Sequence, residues 1–407
     1  MKWIIFVMAA VLVIAESAAA QDSTVAPTFG DDLAFLKKYK DVVVLSDSSG
    51  AMQVAIVPDY QGRIMTSTAD GTNGTSFGWV NRELISSGKK QQHINVFGGE
   101  DRFWIGPEGG QFSVFFAKGS AFDLDHWFTP PSVDTEPFKM VSNRADRVTC
   151  RREIHLTNYS GTKFRLEVSR EIRLLDRKGI QRHLAGHLSP RLKMVGFESV
   201  NSIKNLGKEP WKKESGLLSI WILGMLNASP STTIVVPFKK GPESELGPVV
   251  NDAYFGKVPP ERLVVKDGLM FFSADANYRS KIGLSPLRCK AVLGSYDAQN
   301  HVLTVVQYTL PEGATDYVNS MWKIQENPFG GDVVNSYNDG PPAPAKPQLG
   351  RFYELETSSP ALALKPGGIA KHTHRTIHIQ GNDADLDPVA RAVFGVGIED
   401  IKNGLKK

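Results

Sequence analysis

The chain has 407 residues, 41% hydrophobic and 9% aromatic, which is enough apolar material for a large core and excludes a disordered chain or a small disulfide scaffold. Lysine plus arginine (47) barely exceed aspartate plus glutamate (43), and the two signs are interspersed, so no basic stripe marks a nucleic-acid partner. Cys150 and Cys289 lie in strand-like stretches and read either as a disulfide, which an oxidising compartment permits, or as two buried thiols.

Lys2, the apolar run from Trp3 to Ala15 and Ser17-Ala18-Ala19-Ala20 before Gln21 form a secretory signal peptide over residues 1–20, so an exported protein, periplasmic or extracellular, is expected. The run is short for a membrane span, and no later segment reaches about 18 uninterrupted apolar residues. Residues 21–41 read as a leader with a short helix from Asp31 to Lys40, acidic at its start and basic at its end. From Val42 the chain reads as strands: Val42–Leu45, Met52–Val57, Phe112–Phe116, Phe164–Ile172, Leu217–Ile222, Thr232–Pro237 and Leu269–Ser273. The series continues with Lys290–Tyr296, Val302–Leu310, Tyr317–Ile324, Arg351–Glu356 and His372–Ile379. Gly340 to Pro347 reads as a surface loop, and Asp387-Pro388 opens a terminal helix within residues 386–407, with Pro388 at its first position. Many short strands with turn signals between them predict an all-β fold, an antiparallel β-sandwich forming one domain over residues 42–385 with short helices at both ends.

Chemistry concentrates in a few places. His93 to Gly110 sets His93, Glu100, Asp101, Arg102, Trp104 and Glu108 among five glycines. Carboxylates accept paired hydroxyls and a tryptophan face stacks on sugar C–H bonds, so the stretch suits a polyol; the alternative is an ordered turn whose charges pair internally. Arg102 either binds an acidic sugar or holds a carboxylate. Asp123, Asp125, His126 and Trp127 form a second cluster, in which His126 is a candidate acid or base near neutral pH. The two clusters, separated by one expected strand, are expected to border one cleft. On the strand Phe352-Tyr353-Glu354-Leu355-Glu356, period two puts Glu354 and Glu356 side by side, where mutual repulsion can raise one pKa and make an acid/base pair if the face lines a cleft. His372, His374 and His378 share parity, which fits exposed strand histidines better than a zinc site. Asp332, Asn335, Asn338 and Asp339 in a Gly-bounded loop are oxygen donors for sugar hydroxyls or calcium, or simply turn builders. Phosphate-loop, nucleophile-elbow, dinucleotide and His-Glu-x-x-His signatures are missing, and no cofactor is expected.

Ile56-Val57-Pro58-Asp59-Tyr60-Gln61-Gly62-Arg63-Ile64 resembles the early strand and turn of galactose mutarotase-like proteins. Gly98-Gly99 to Glu108 is similar to the glycine-rich portion that follows, and Ser359 to Gly367 with the His372–Ile379 strand resembles the closing strands. The resemblance implies a β-supersandwich with a carbohydrate as ligand in a concave cleft, Arg63 on the sugar-binding face, and Glu354 or Glu356 as the late glutamate base of aldose epimerases. The mid-chain histidine acid of that family has no match, since the corresponding stretches read Phe97-Gly98-Gly99 and Ser219-Ile220-Trp221. His126, or else His93, is then the expected acid. A mutarotase, hydrolase or lyase is the expected activity, with a non-catalytic carbohydrate-binding protein as the alternative.

Overall fold

The computed structural model describes residues 27–184, 188–343 and 346–406; the expected signal peptide lies outside them. Its strands form three antiparallel sheets. The large sheet has ten, in spatial order Leu263–Lys266, Leu269–Ser273, Thr232–Pro237, Val292–Asp297, Val302–Tyr308, Ile369–Gln380, Lys193–Asn205, Lys163–Leu174, Arg147–Thr157 and Lys139–Arg144. The small sheet has five, Ser280–Leu284, Val334–Asn338, Phe352–Ser358, Ser219–Asn227 and Arg102–Gly106. Val43–Ser46, Gln53–Val57 and Arg63–Thr68 make the third.

Side-chain alternation decides how each sheet is used. In Arg147–Thr157, Val148, Cys150, Ile154 and Leu156 are buried while Arg151, Glu153, His155 and Thr157 are exposed, so this half of the large sheet keeps one face in water. Its other half is covered by Arg177–Leu184, Asp383–Phe394 and Ile398–Lys402, whose Ile180, Leu386, Val389, Phe394 and Ile401 pack on Leu303, Val305, Ile377 and Ile379. Between the sheets, Phe103, Ile220 and Ile222 of the small sheet join a core with Val168, Phe197 and Ile203 of the large one. Every residue of Phe352–Ser358 is buried, because the outer face of the small sheet is roofed. There Trp104 packs on Phe115 and Trp127, and Trp127 stacks on Trp322, all three partners lying in the connecting loops.

That roof corrects two expected strands. Phe112–Phe116 and Tyr317–Ile324 are loops in which Phe112 stacks on Phe329, Phe116 packs edge-on against Trp322, and Trp322 stacks on Trp127. Around Phe112–Phe116, side-chain bonds replace a ladder: the Ser113 hydroxyl donates to the Glu108 carbonyl and accepts from the Phe115 N–H. Conversely Val334–Asn338, expected as a loop, is a strand between Ser280–Leu284 and Phe352–Ser358. The N-terminal helix runs Phe29–Tyr39, capped by Thr28 in a capping box with Asp31. The terminal helix starts at Asp383 because Asn382 caps it, which leaves Pro388 inside rather than at its first turn. Both cysteines are buried free thiols, pushed up by burial to about 11 for Cys150 and about 12 for Cys289.

Candidate functional site

Register places the chemistry of the small sheet on its outer face. Glu356 stands opposite Leu223 and Asn335, Glu354 opposite Met225 and Tyr337, Arg102 opposite Leu223, Trp104 opposite Trp221, and Lys281 opposite Tyr337. Directly paired residues share a face, so Arg102, Trp104, Trp221, Lys281, Glu354 and Glu356 converge. Glu356 is 0% exposed. Its Oε2 accepts from the Lys281 ammonium at 2.9 Å and the Trp221 indole at 3.0 Å, while its buried Oε1 has no partner among the described residues. Arg102 donates to Glu354 at 2.9 Å and lies 4.3 Å above the Trp104 ring. Burial pushes the Glu354 carboxyl up to about 8; Arg102 opposes that rise and neighbouring Glu356 adds to it.

A small cavity of about 20 Å³, walled by Glu108, Ser219, Trp221, Tyr254, Lys281, Ser320 and Asp332, lies against Lys281 and Trp221, the two residues that bond Glu356. One oxygen of Glu108 accepts from Trp322 at 3.1 Å, and burial raises its carboxyl pKa, with Lys281 pulling the other way. Asp332 accepts from the Tyr254 hydroxyl at 2.6 Å and Asn251 at 3.0 Å, and burial raises it too. Lys281 lies 5.0 Å from the Trp221 ring and 5.5 Å from that of Tyr254; despite burial its ammonium is held above the usual range by Glu356, Glu108 and Glu354. Nothing in the sequence around Lys281, Tyr254 or Trp221 marks them as site residues. A lone lysine in Ser280-Lys281-Ile282-Gly283-Leu284 carries no motif; register sets it in the row of Tyr337 and Glu354, from which its long side chain reaches diagonally to Glu356.

Other expected site residues go elsewhere. Glu100 and Asp101 turn into the space between the sheets, where Glu100 hydrogen-bonds His378 at 2.8 Å and accepts from Ser67 at 3.0 Å, and Asp101 pairs with buried Arg170 and accepts from Ser199 at 2.6 Å. The chain alternates there, so Arg102 and Trp104 face outward and Asp101 inward. Arg63 is fully buried, donating to the Gly98 carbonyl and the Gln61 side chain, both at 3.0 Å, and burial pushes it down to about 9. Of the second cluster, only Trp127 reaches the Trp104 aromatic group. Asp123, Asp125 and His126 are exposed in a short turn where His126 bonds Asp123 at 2.6 Å, so His126 is no partner for the buried glutamates. His93 bonds the Trp127 carbonyl at 2.7 Å and packs on Phe128.

Asn338 and Asp339 bond within the fold: Asn338 donates to the Tyr278 carbonyl at 2.9 Å, and Asp339 accepts from Tyr337 at 2.7 Å and from the Gly350 N–H at 2.8 Å. The three histidines, expected on an exposed face, are buried instead. His372 and His374 both bond the Thr357 hydroxyl, at 2.8 and 2.9 Å, and burial pushes each down to about 3. Among the described residues no group of three or more His, Cys, Asp or Glu side chains is arranged to hold a metal ion.

In fold the chain is a galactose mutarotase-like antiparallel β-sandwich. The chain belongs to a family described as a family of unknown function (DUF6786), whose model matches residues 27–405. In fold it is similar to a candidate aldose 1-epimerase from Escherichia coli K12, with 14% identity over 84% of this chain and 99% of that one and a TM-score of 0.50. A galactose mutarotase-like protein from Lactobacillus casei ATCC 334 is also similar, at 11% identity over 84% of this chain and 100% of that one, with a TM-score of 0.46. No curated protein matches.

Proposed function

We propose that the chain is a carbohydrate-active protein in which Glu356 is the base of a proton transfer at the anomeric centre of a sugar. The observation that carries this reading is the buried, unpartnered Oε1 of Glu356 beside a pocket that alternates aromatic faces with hydroxyl and carboxyl groups. Such groups suit a pyranose, whose C–H face stacks on rings and whose hydroxyls need partners; the cavity of about 20 Å³ has room for water alone, so this reading requires the loop roof to part when a sugar enters. In a mutarotase-type cycle Glu356 takes the proton of the anomeric hydroxyl while an acid protonates the ring oxygen. The bond from the anomeric carbon to the ring oxygen then breaks, and the open aldehyde recloses on either face. Glu108, whose carboxyl burial favours in the protonated form, is the acid in place of His126. The similarity in fold to a candidate aldose 1-epimerase supports sugar chemistry without fixing the reaction.

The alternative is a carbohydrate-binding protein without catalysis, favoured by the absence of any histidine from the residues described as lining this pocket. Polarimetry on freshly dissolved glucose and galactose, run beside reducing-end release from polysaccharides, separates these readings. Either signal supports an enzyme, sugar binding with neither supports the binding protein, and no binding of any sugar contradicts both. The Lys2 to Ala20 pattern supports export, which predicts a mature chain beginning at Gln21; N-terminal sequencing of protein recovered outside the cytoplasm checks it.

A further inference from the structure

Lys281 lies on the edge strand of the small sheet, Ser280–Leu284. Its neighbour across the ladder is Tyr337, whose ring packs edge-on against Phe255 at 5.8 Å. Phe255 follows Tyr254, which walls the pocket, and is 46% exposed, the reverse of what a phenylalanine in a core does. The Arg279 guanidinium lies 4.0 Å from the Phe255 ring, and its Nε donates to the Tyr337 hydroxyl at 3.3 Å. No described residue accepts from the two terminal nitrogens of Arg279. An exposed ring and an arginine with donors to spare therefore lie next to the wall of the acidic pocket, Phe255 following Tyr254 in the chain, with Tyr337 and Lys281 buried beneath them.

We infer that the pocket is the first position of a longer site and that the ligand is an oligosaccharide, whose terminal ring enters beside Glu356 and whose next ring packs on Phe255 with its hydroxyls bonded by Arg279. The inference rests on the carbohydrate reading above and adds the substrate class. A free monosaccharide would leave the platform unused. A sugar chain uses both parts, because a ring face is apolar and its rim carries hydroxyls, the same division of character that Phe255 and Arg279 present. Arg279 holds its place through Phe255 and Tyr337, so the platform is organised before the ligand arrives and less ordering is left to oppose binding.

Isothermal titration of the full chain tests this with glucose and galactose as monosaccharide probes and maltose, cellobiose and lactose as their longer counterparts. At least one disaccharide is expected to bind about tenfold more tightly than its terminal monosaccharide, the scale of one aromatic contact. Phe255→Ala is expected to remove most of that advantage and to leave monosaccharide affinity unchanged, and Arg279→Ala to remove part of it. Because Phe255 is exposed, its replacement does not endanger folding, and a circular dichroism melt that matches the parent verifies this. Equal affinity for mono- and disaccharides, or an equal loss of both on Phe255→Ala, overturns the longer site while leaving the sugar reading intact. Failure of the parent chain to bind any of the five sugars overturns both.

Discussion

Glu354 and Glu356 share one strand face and meet different surroundings. Glu356 has the Lys281 ammonium and the Trp221 indole, whereas Glu354 has Arg102 and is nonetheless pushed up to about 8, chiefly by burial. A carboxyl raised above its ordinary value of 4.5 binds a proton in the folded chain that the unfolded chain has already released. Its contribution to stability is therefore fully present below 4.5 and is lost as pH rises through about 8. Glu354→Gln keeps a neutral group and an acceptor for Arg102. Relative to the parent it is expected to be more stable at about pH 9 than at about pH 5, read as the difference in urea midpoints; an unchanged difference contradicts the assignment. His372 and His374 have the opposite sign. Burial lowers each from 6.5 to about 3, so the unfolded chain binds protons first and stability, complete above 6.5, is lost as pH falls toward 3. His374→Asn is expected to lose some stability at neutral pH with its bond to Thr357 but to show a shallower acid limb in thermal melts than the parent. An identical acid limb would mean that this histidine is not held neutral by the fold.

The strand Phe352–Ser358 shows what could be read in advance and what could not. Period two put Glu354 and Glu356 on one face with Tyr353 and Leu355 on the other, and the observed register has that geometry. What period two lacks is a direction. The same parity argument grouped His372, His374 and His378 correctly, yet the group faces the interior rather than water. The roof was illegible for a related reason, since Phe112–Phe116 and Tyr317–Ile324 have the aromatic and β-branched composition of strands, and only tertiary packing makes them loops over the site. Mutual repulsion of the two glutamates was the expected cause of a raised pKa, whereas burial is the larger one, and burial depends on that same roof. Leu355, 1% exposed on the inner face among Ile234, Leu293 and Val306, anchors the strand that carries both glutamates. Leu355→Ala is expected to cost about 2–5 kcal/mol in urea unfolding, and a loss below about 1 kcal/mol would show that the strand is held by something other than this packing.

At the scale of the molecule, the topology ties distant segments together. The large sheet sets Ile369–Gln380 between Val302–Tyr308 and Lys193–Asn205, and the small sheet sets Ser219–Asn227 between Arg102–Gly106 and Phe352–Ser358. A cut anywhere between residues 230 and 300 would separate strands that pair with each other. A single calorimetric transition is therefore expected, with no pair of independently stable proteolytic halves; two such halves would contradict one cooperative unit. The candidate site depends on the same closure, since Arg102, Trp221, Lys281 and Glu356 come from four strands spread over the chain. The role of Glu356 is tested most directly by polarimetry on freshly dissolved glucose and galactose with the parent and Glu356→Gln at equal folded concentration. The parent is expected to speed the approach to anomeric equilibrium on at least one of them and the variant to lose about two to four orders of magnitude of that rate. A variant that works at the parent's rate would contradict Glu356 as the base, and a parent that leaves the spontaneous rate unchanged would contradict proton transfer at these anomeric centres.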